Sequence, residues 1–197
     1  MIVRRHQLGT NEVKEKICFI DFEASSLDPN LSFPTELGWA FEDGSGHSLL
    51  INPHGSWIND EQISDLSGPW PGWNEGGVLS TGITREMIAC QGLAPATVAK
   101  RFLDATDGCA YYADNPDWDG MWMGKLFAAA EMDPAPRVRD YNHLIGPYVA
   151  GAVGQATLLL AQGRANESVP RTHRAGDDAR HLAEVYRNLL KDGLGDP

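Results

Sequence analysis

Two acids stand two residues apart at the end of an apolar run, Ile17-Cys18-Phe19-Ile20-Asp21-Phe22-Glu23-Ala24. If the run is a strand, Asp21 and Glu23 leave the same face of a sheet. Carboxylates side by side repel, and burial adds a desolvation cost. A divalent cation offsets both, and oxygen donors of this kind suit Mg²⁺ or Mn²⁺. A merely solvated acid pair at a strand end has the same spacing, so this motif alone leaves both readings open.

Two further acids head apolar stripes. From Asp119, offsets of three, four, seven and eleven meet Trp122, Met123, Leu126 and Ala130, the buried face of an amphipathic helix. From Asp117 they meet Gly120, Met121, Gly124 and Ala128, a weaker face. Asp119 is therefore expected to point at the body of the protein and Asp117 to decorate the helix start, while Asp114 fits either role. Asn115 reads as the N-cap and Pro116 as the first helical residue. In the last helical pattern Asp178 heads Leu182, Val185, Tyr186 and Leu189; Asp177 heads His181, Glu184, Val185 and Asn188 and is assigned to the solvated face. Taken singly, such an acid is often a helix-terminal carboxylate stabilised by the dipole. Three acidic sites converging on an apolar interior are explained together by a metal cluster.

His173 lies five residues before Asp178, in a segment, 162–176, read as a loop because of Gly163, Pro170 and Gly176. Histidine titrates in the range suited to taking a proton from water. The alternative is an exposed loop side chain, the reading given to the other five histidines. Arg164, Arg171 and Arg174 form the densest basic patch of the chain; they either hold phosphate oxygens or solvate a loop.

The elements that must position these groups follow from periodicity. Residues 17–23, 36–42, 47–52, 109–113 and 137–141 read as strands, with a hairpin signal at Asp43-Gly44-Ser45-Gly46. Residues 95–105, 116–132, 142–161 and 177–191 read as helices. A strand meander followed by helix–strand alternation predicts an α/β domain with a mixed sheet. The Gly- and Pro-rich segment 67–77 carries Trp70 and Trp73; a loop pinned by its indoles is favoured over a substrate-facing flap. The chain is read as a single domain, 1–197, with 1–16 as a loose N-terminal arm.

Sixteen Lys+Arg against twenty-seven Asp+Glu give a net charge of −11 over 197 residues. This argues against a basic nucleic-acid coat or an anionic-membrane binder, but not against an enzyme whose substrate charge is met by cations. It favours short or single-stranded ends over a long duplex track, and Trp118 and Trp122 are candidates to stack on bases, or to be core. The apolar stretches 126–130 and 156–161 are too short to span a bilayer, and the N-terminus lacks the apolar run of a signal peptide. Three widely spaced cysteines, Cys18, Cys90 and Cys109, read as free thiols. A cytoplasmic location is the expectation.

The set Asp21-Phe22-Glu23, then Asn115-x-x-Trp118-Asp119, then His173-x-Ala175-x-x-Asp178 resembles the motifs of the DEDDh family of 3′→5′ exonucleases. That superfamily includes RNase T, oligoribonuclease and polymerase proofreading subunits. The resemblance implies a ribonuclease-H-like fold, a mixed five-stranded sheet flanked by helices. It implies two divalent ions, Mg²⁺ or Mn²⁺: Asp21, Glu23 and Asp178 would hold one, with Asp21 shared and Asp119 supporting the second. His173 would be the base, Ala24 and Ser25 would lie near the substrate's 3′ end, and RNA or DNA would be shortened to 5′-mononucleotides. Family members are often dimers, so a homodimer is possible. Where the family usually continues with Thr-Thr-Gly, this chain has Ala24-Ser25-Ser26-Leu27. A non-catalytic nucleic-acid or nucleotide binding module on the same scaffold is the alternative; a metal-dependent phosphatase is a third reading.

Overall fold

Residues 15–191 are described by the structure, a computed structural model. In chain order its elements are β1 (Lys16–Ala24), β2 (Pro34–Phe41), β3 (Gly46–Leu50), α1 (Asp60–Ser64), α2 (Glu75–Thr81), α3 (Arg85–Gln91), α4 (Pro95–Ala105), β4 (Cys109–Ala113), α5 (Pro116–Ala129), β5 (Val138–Asp140), α6 (Tyr141–Ile145), α7 (Gly151–Ser168) and α8 (Ala175–Lys191). One sheet orders the strands β3-β2-β1-β4-β5. β1, β2 and β3 pair antiparallel, whereas β4 and β5 run parallel to β1. This is the mixed five-stranded α/β architecture expected of a ribonuclease-H-like fold.

The sheet is covered on both faces because alternate residues of β1 and β2 are apolar in both directions. Cys18, Ile20 and Phe22 join Leu37 and Trp39 under α4 and α5, packed on Phe102, Met123, Leu126 and Phe127. Ile17, Phe19 and Ala40 face the other way, against Ala179, Leu182, Tyr186 and Leu189 of α8 and Ala161 and Ala165 of α7. Asp21 and Glu23 continue the row of Ile17 and Phe19. α8 starts over the C-terminal end of β1 and runs back along it, so that Tyr186 meets Phe19 at a centroid distance of 5.6 Å.

Two backbone features open space for a site. The pairing of β1 with β4 covers Lys16 to Phe19, so the rest of β1 runs on beyond its parallel neighbour. At Gly38, opposite Asp21 in β2, a Cβ would lie 2.1 Å from the Ala175 carbonyl carbon. Only a bare backbone lets α8 begin this close to the sheet.

Several expectations need correction. The helix read over 142–161 is interrupted: α6 passes into a 3₁₀ turn at Gly146–Tyr148, and α7 restarts at Gly151, whose φ of 71° no helix continues. The two helical pieces are bent by 120°. The loop read over 162–176 is helical to Ser168, so Arg164 lies on α7. Gly163 did not end the helix, because an isolated glycine is tolerated within one. Asn115 occupies the N-cap position without a side-chain cap bond. His181 and Asn188 are buried where their stripe was read as solvated: His181 Nδ1 lies 2.8 Å from the Val169 carbonyl oxygen and the Asn188 amide donates to Ala161. Of the arm, residues 1–14 lie outside the described residues; Lys16 is already strand and Glu15 pairs with Arg139 at 2.7 Å. Helices α1, α2 and α3 are additions, short segments with little or no apolar stripe to reveal them. Among the described residues no single helix is long and apolar enough to cross a membrane.

Candidate active site

The acids from three distant stretches meet at the C-terminal end of β1. Carboxylate oxygens of Asp21, Glu23 and Asp178 all lie within 4.8 Å of one another, and so do those of Asp21, Asp114 and Asp119. Asp21 belongs to both sets. β1 supplies Asp21 and Glu23 from one face, and α8 brings Asp178 over them in its first turn. α5 delivers Asp119 from the opposite side of the sheet, where its Oδ1 accepts the Phe22 N–H at 3.1 Å. That amide lies past the last residue of β1 paired with β4, so the gap in the sheet is also what lets a helix side chain in.

Asp119 and Asp178 are buried, as the helix phases required, and Asp117 is exposed. Asp114, which fitted two roles, joins the cluster as a fifth acid. It accepts from the Arg171 guanidinium at 2.5 Å. Arg171 follows α7 and so ties the stretch before α8 to the end of β4.

Crowding and burial act in the same direction here. Burial, then the charges of Asp119, Glu23, Asp178 and Asp114, push Asp21 well above the ordinary carboxylate range. Burial and the Asp178 carboxylate raise Glu23 to about 8, against a downward pull from Arg174. Burial and Asp114 raise Asp119 to about 7. Five acids against the guanidinium groups of Arg171 and Arg174 form a site in need of positive charge. All-oxygen donors in two overlapping sets fit hard divalent cations.

A cavity of about 950 Å³ opens over these acids, lined also by Ala24, Ser26, Leu27, Asn74, Trp118 and His173. His173 sits exposed on its wall at a φ of 57°. Ala24 lines the cavity. Ser25 does not: it is buried, with its N–H on Phe33, its carbonyl accepting from Asn74, and its hydroxyl donating to Gly72 at 2.7 Å. Its groups hold two loops together, and Ser26 and Leu27 face the cavity instead. Leu27 is 83% exposed there. Trp122 is core with one edge at the cavity, and Trp118 lies against it, rings 5.9 Å apart.

The Trp70/Trp73 segment follows the favoured reading, a pinned loop. Trp70 is buried against Phe33 and Ile58, which pins the segment. Beyond it, Asn74 and the α2 residues Gly76, Gly77, Ser80 and Thr81 form a wall of the cavity.

No family model matches this sequence, and no curated protein matches it either. Solved structures do. The nuclease domain of 3′hExo, described as a DEDDh family member bound to rAMP, superposes with a TM-score of 0.65 at 16% identity, over 93% of this chain and 96% of that one. The fold is that of the DEDDh 3′→5′ exonucleases. A 3′-exonuclease solved in recognition of the histone mRNA stem-loop gives a TM-score of 0.63 at 15% identity, covering 91% of this chain and 83% of the other. Exonuclease I of E. coli, in complex with a dA16 oligonucleotide, gives 0.62 at 14% identity over 90% of this chain. The chain spans only 41% of that exonuclease I. The homodimer implied by the resemblance finds no support in these likenesses.

Within this fold, sequence reasoning passed over Glu36. It is a β2 residue directly opposite Glu23, 1% exposed, and bonded to Arg174, Ala175 and Ser48. The signal was present: Glu36, Gly38 and Ala40 share one strand face. Two small residues announce a closely packed helix, and an acid in that row must find a cation. Arg174, grouped with the possible phosphate binders, is that cation.

Proposed function

We propose that the protein is a metal-dependent 3′→5′ exonuclease that releases 5′-mononucleotides from the ends of single-stranded or short nucleic acid, RNA or DNA. The observation that carries this reading is the pair of overlapping carboxylate sets joined at Asp21, with His173 on the wall of the same cavity. Asp21, Glu23 and Asp178 would hold one cation, Mg²⁺ or Mn²⁺, and Asp21 with Asp119 a second. Bound there, the cations supply Lewis-acid charge for the oxygens of the phosphodiester under attack.

The chain's own groups account for the rest. His173 takes a proton from the attacking water, a new P–O bond forms as the P–O3′ bond breaks, and the departing 3′-oxygen takes its proton from solvent. Ala24, Ser26 and Leu27 border the position of the terminal nucleoside, and Trp118 offers a face on which a base can stack. A cavity of about 950 Å³ falls at the upper end of small-ligand clefts, which suits a frayed terminal nucleotide better than a duplex. Three free cysteines, one of them exposed, support an intracellular setting.

The test is a 5′-labelled single-stranded oligonucleotide, as matched RNA and DNA, incubated with Mg²⁺ or Mn²⁺. A ladder of shortening labelled products, lost in Asp21→Asn and with chelator, is the expected result. Tight binding without shortening of either substrate would replace this reading with that of a binding module on the same scaffold.

A further inference from the structure

His173 holds an unusual backbone position for a residue with a side chain. Its φ of 57° lies in the left-handed region, sparsely populated by residues other than glycine and kept only where the surroundings over-determine it. The imidazole makes no hydrogen bond or ring contact among the described residues, so the backbone sets where it points. That backbone is fastened on both sides. Before His173, the Thr172 N–H donates to Asp178 Oδ1 at 3.0 Å and the Thr172 hydroxyl to Asp177 at 2.8 Å. After it, both Arg174 and Ala175 are held by one carboxylate, Glu36.

The geometry points to Glu36 as a positioning residue for His173, acting through the Arg174 guanidinium and the Ala175 amide; the inference rests on the exonuclease reading above. Glu36 Oε2 accepts from Arg174 Nε and from the Ala175 N–H, each at 3.0 Å, and Oε1 accepts from Arg174 and from the Ser48 hydroxyl, each at 2.8 Å. The guanidinium docks as a planar fork, which fixes its orientation as well as its distance. Glu36 stands on a strand paired along both edges.

A buried ion pair is weak support for stability, because an apolar residue of similar volume often serves as well. Here it does something an apolar residue cannot. It accepts a backbone N–H and a side-chain fork from consecutive residues, and so sets the turn immediately after His173. It also brings Arg174 beside Glu23, where the guanidinium opposes the like charges of Glu23 and Glu36 facing each other across β1 and β2.

The test compares Glu36→Gln, Arg174→Lys and Ser48→Ala. Arg174→Lys keeps the charge and loses the fork, and spares the fold if Glu36→Gln does not. Ser48→Ala removes a donor from the same carboxylate without touching the turn. Expected is a fall in kcat of about tenfold to a hundredfold for Glu36→Gln and Arg174→Lys with KM for a single-stranded oligonucleotide within about twofold, while Ser48→Ala stays near wild type. The second readout needs no turnover: the ring proton resonance of His173, assigned through His173→Gln, shifts in the first two variants and stays in place in Ser48→Ala. If the wild type shortens no oligonucleotide, the exonuclease reading falls and the resonance alone decides the positioning role. An unmoved His173 resonance in Arg174→Lys, or losses of kcat that simply follow Tm across all three variants, overturns the inference.

Discussion

A carboxylate that is buried and crowded by other carboxylates holds its proton to higher pH than a free one. Glu23 is raised to about 8, Asp119 to about 7, and Asp21 well above its ordinary range. Without cations, the folded protein therefore holds more protons than the unfolded chain between roughly pH 4 and 8, and stability must fall as pH rises through that window. We expect the Tm of the metal-stripped protein to drop by about 5 °C or more between pH 5.5 and 8.5, and saturating Mg²⁺ or Mn²⁺ to remove most of the drop. An equal or higher Tm at pH 8.5 would contradict the charge crowding. The same physics separates stability from activity at one residue. Asp21→Asn removes the charge common to both carboxylate sets, so the metal-stripped variant should melt above wild type at pH 8.5, by about 1 kcal/mol in stability, while losing nuclease activity and its response to cations.

The elements matter for how closely they approach. α8 can set Asp178 over Asp21 only because Gly38 leaves room for the Ala175–Gly176 peptide on the sheet. Gly38→Ala places a Cβ against backbone rather than a flexible side-chain tip, so α8 has to shift. Denaturant unfolding should show a loss of about 3 kcal/mol, and cation binding should weaken with it. A loss below about 0.5 kcal/mol, the range of ordinary surface changes, would mean that the close approach is not real. The segment after β3 is a second case. Trp70, 4% exposed, anchors it between Phe33 and Ile58, and the Arg85 guanidinium lies 5.9 Å from its ring centre. Trp70→Ala should cost about 3 kcal/mol or more. Because the same segment leads into α2 and the cavity wall, KM for an oligonucleotide should rise more than kcat falls.

At the scale of the molecule, a chain of net charge −11 would be an unusual partner for a polyanion. Arg171 is the one arginine or lysine among the described residues lining the cavity, and Asp114 already holds it. Binding of a single strand should thus release few counterions from phosphate contacts. For the His173→Ala variant with Ca²⁺, fluorescence anisotropy should give a plot of log K against log salt with a slope of magnitude below about 2, since each phosphate neutralised on a single strand contributes about 0.7. A slope several times steeper would reveal a basic track elsewhere on the surface.

What the order of residues determined here is whatever repeats with a fixed period. The strand carrying Asp21 and Glu23, the faces of the helices that begin near Asp119 and Asp178, and the mixed sheet all follow from alternation by two or by 3.6, which is local geometry. Helix phase separated Asp119 from Asp117 and Asp178 from Asp177 correctly. It could not admit Asp114, which sits on no regular element and reaches the cluster because β4 ends beside β1. It also missed the interruption before Gly151, since an apolar pattern runs on through a backbone that does not. Ser25 and Glu36 show the same limit from two sides: one looked available and is fully hydrogen-bonded, the other was read only as part of a strand and bonds to the turn after His173. Their partners lie 47 and 138 residues away along the chain. A hydrogen bond of that span is set by how loops and helices seat against the sheet, which tertiary packing alone decides.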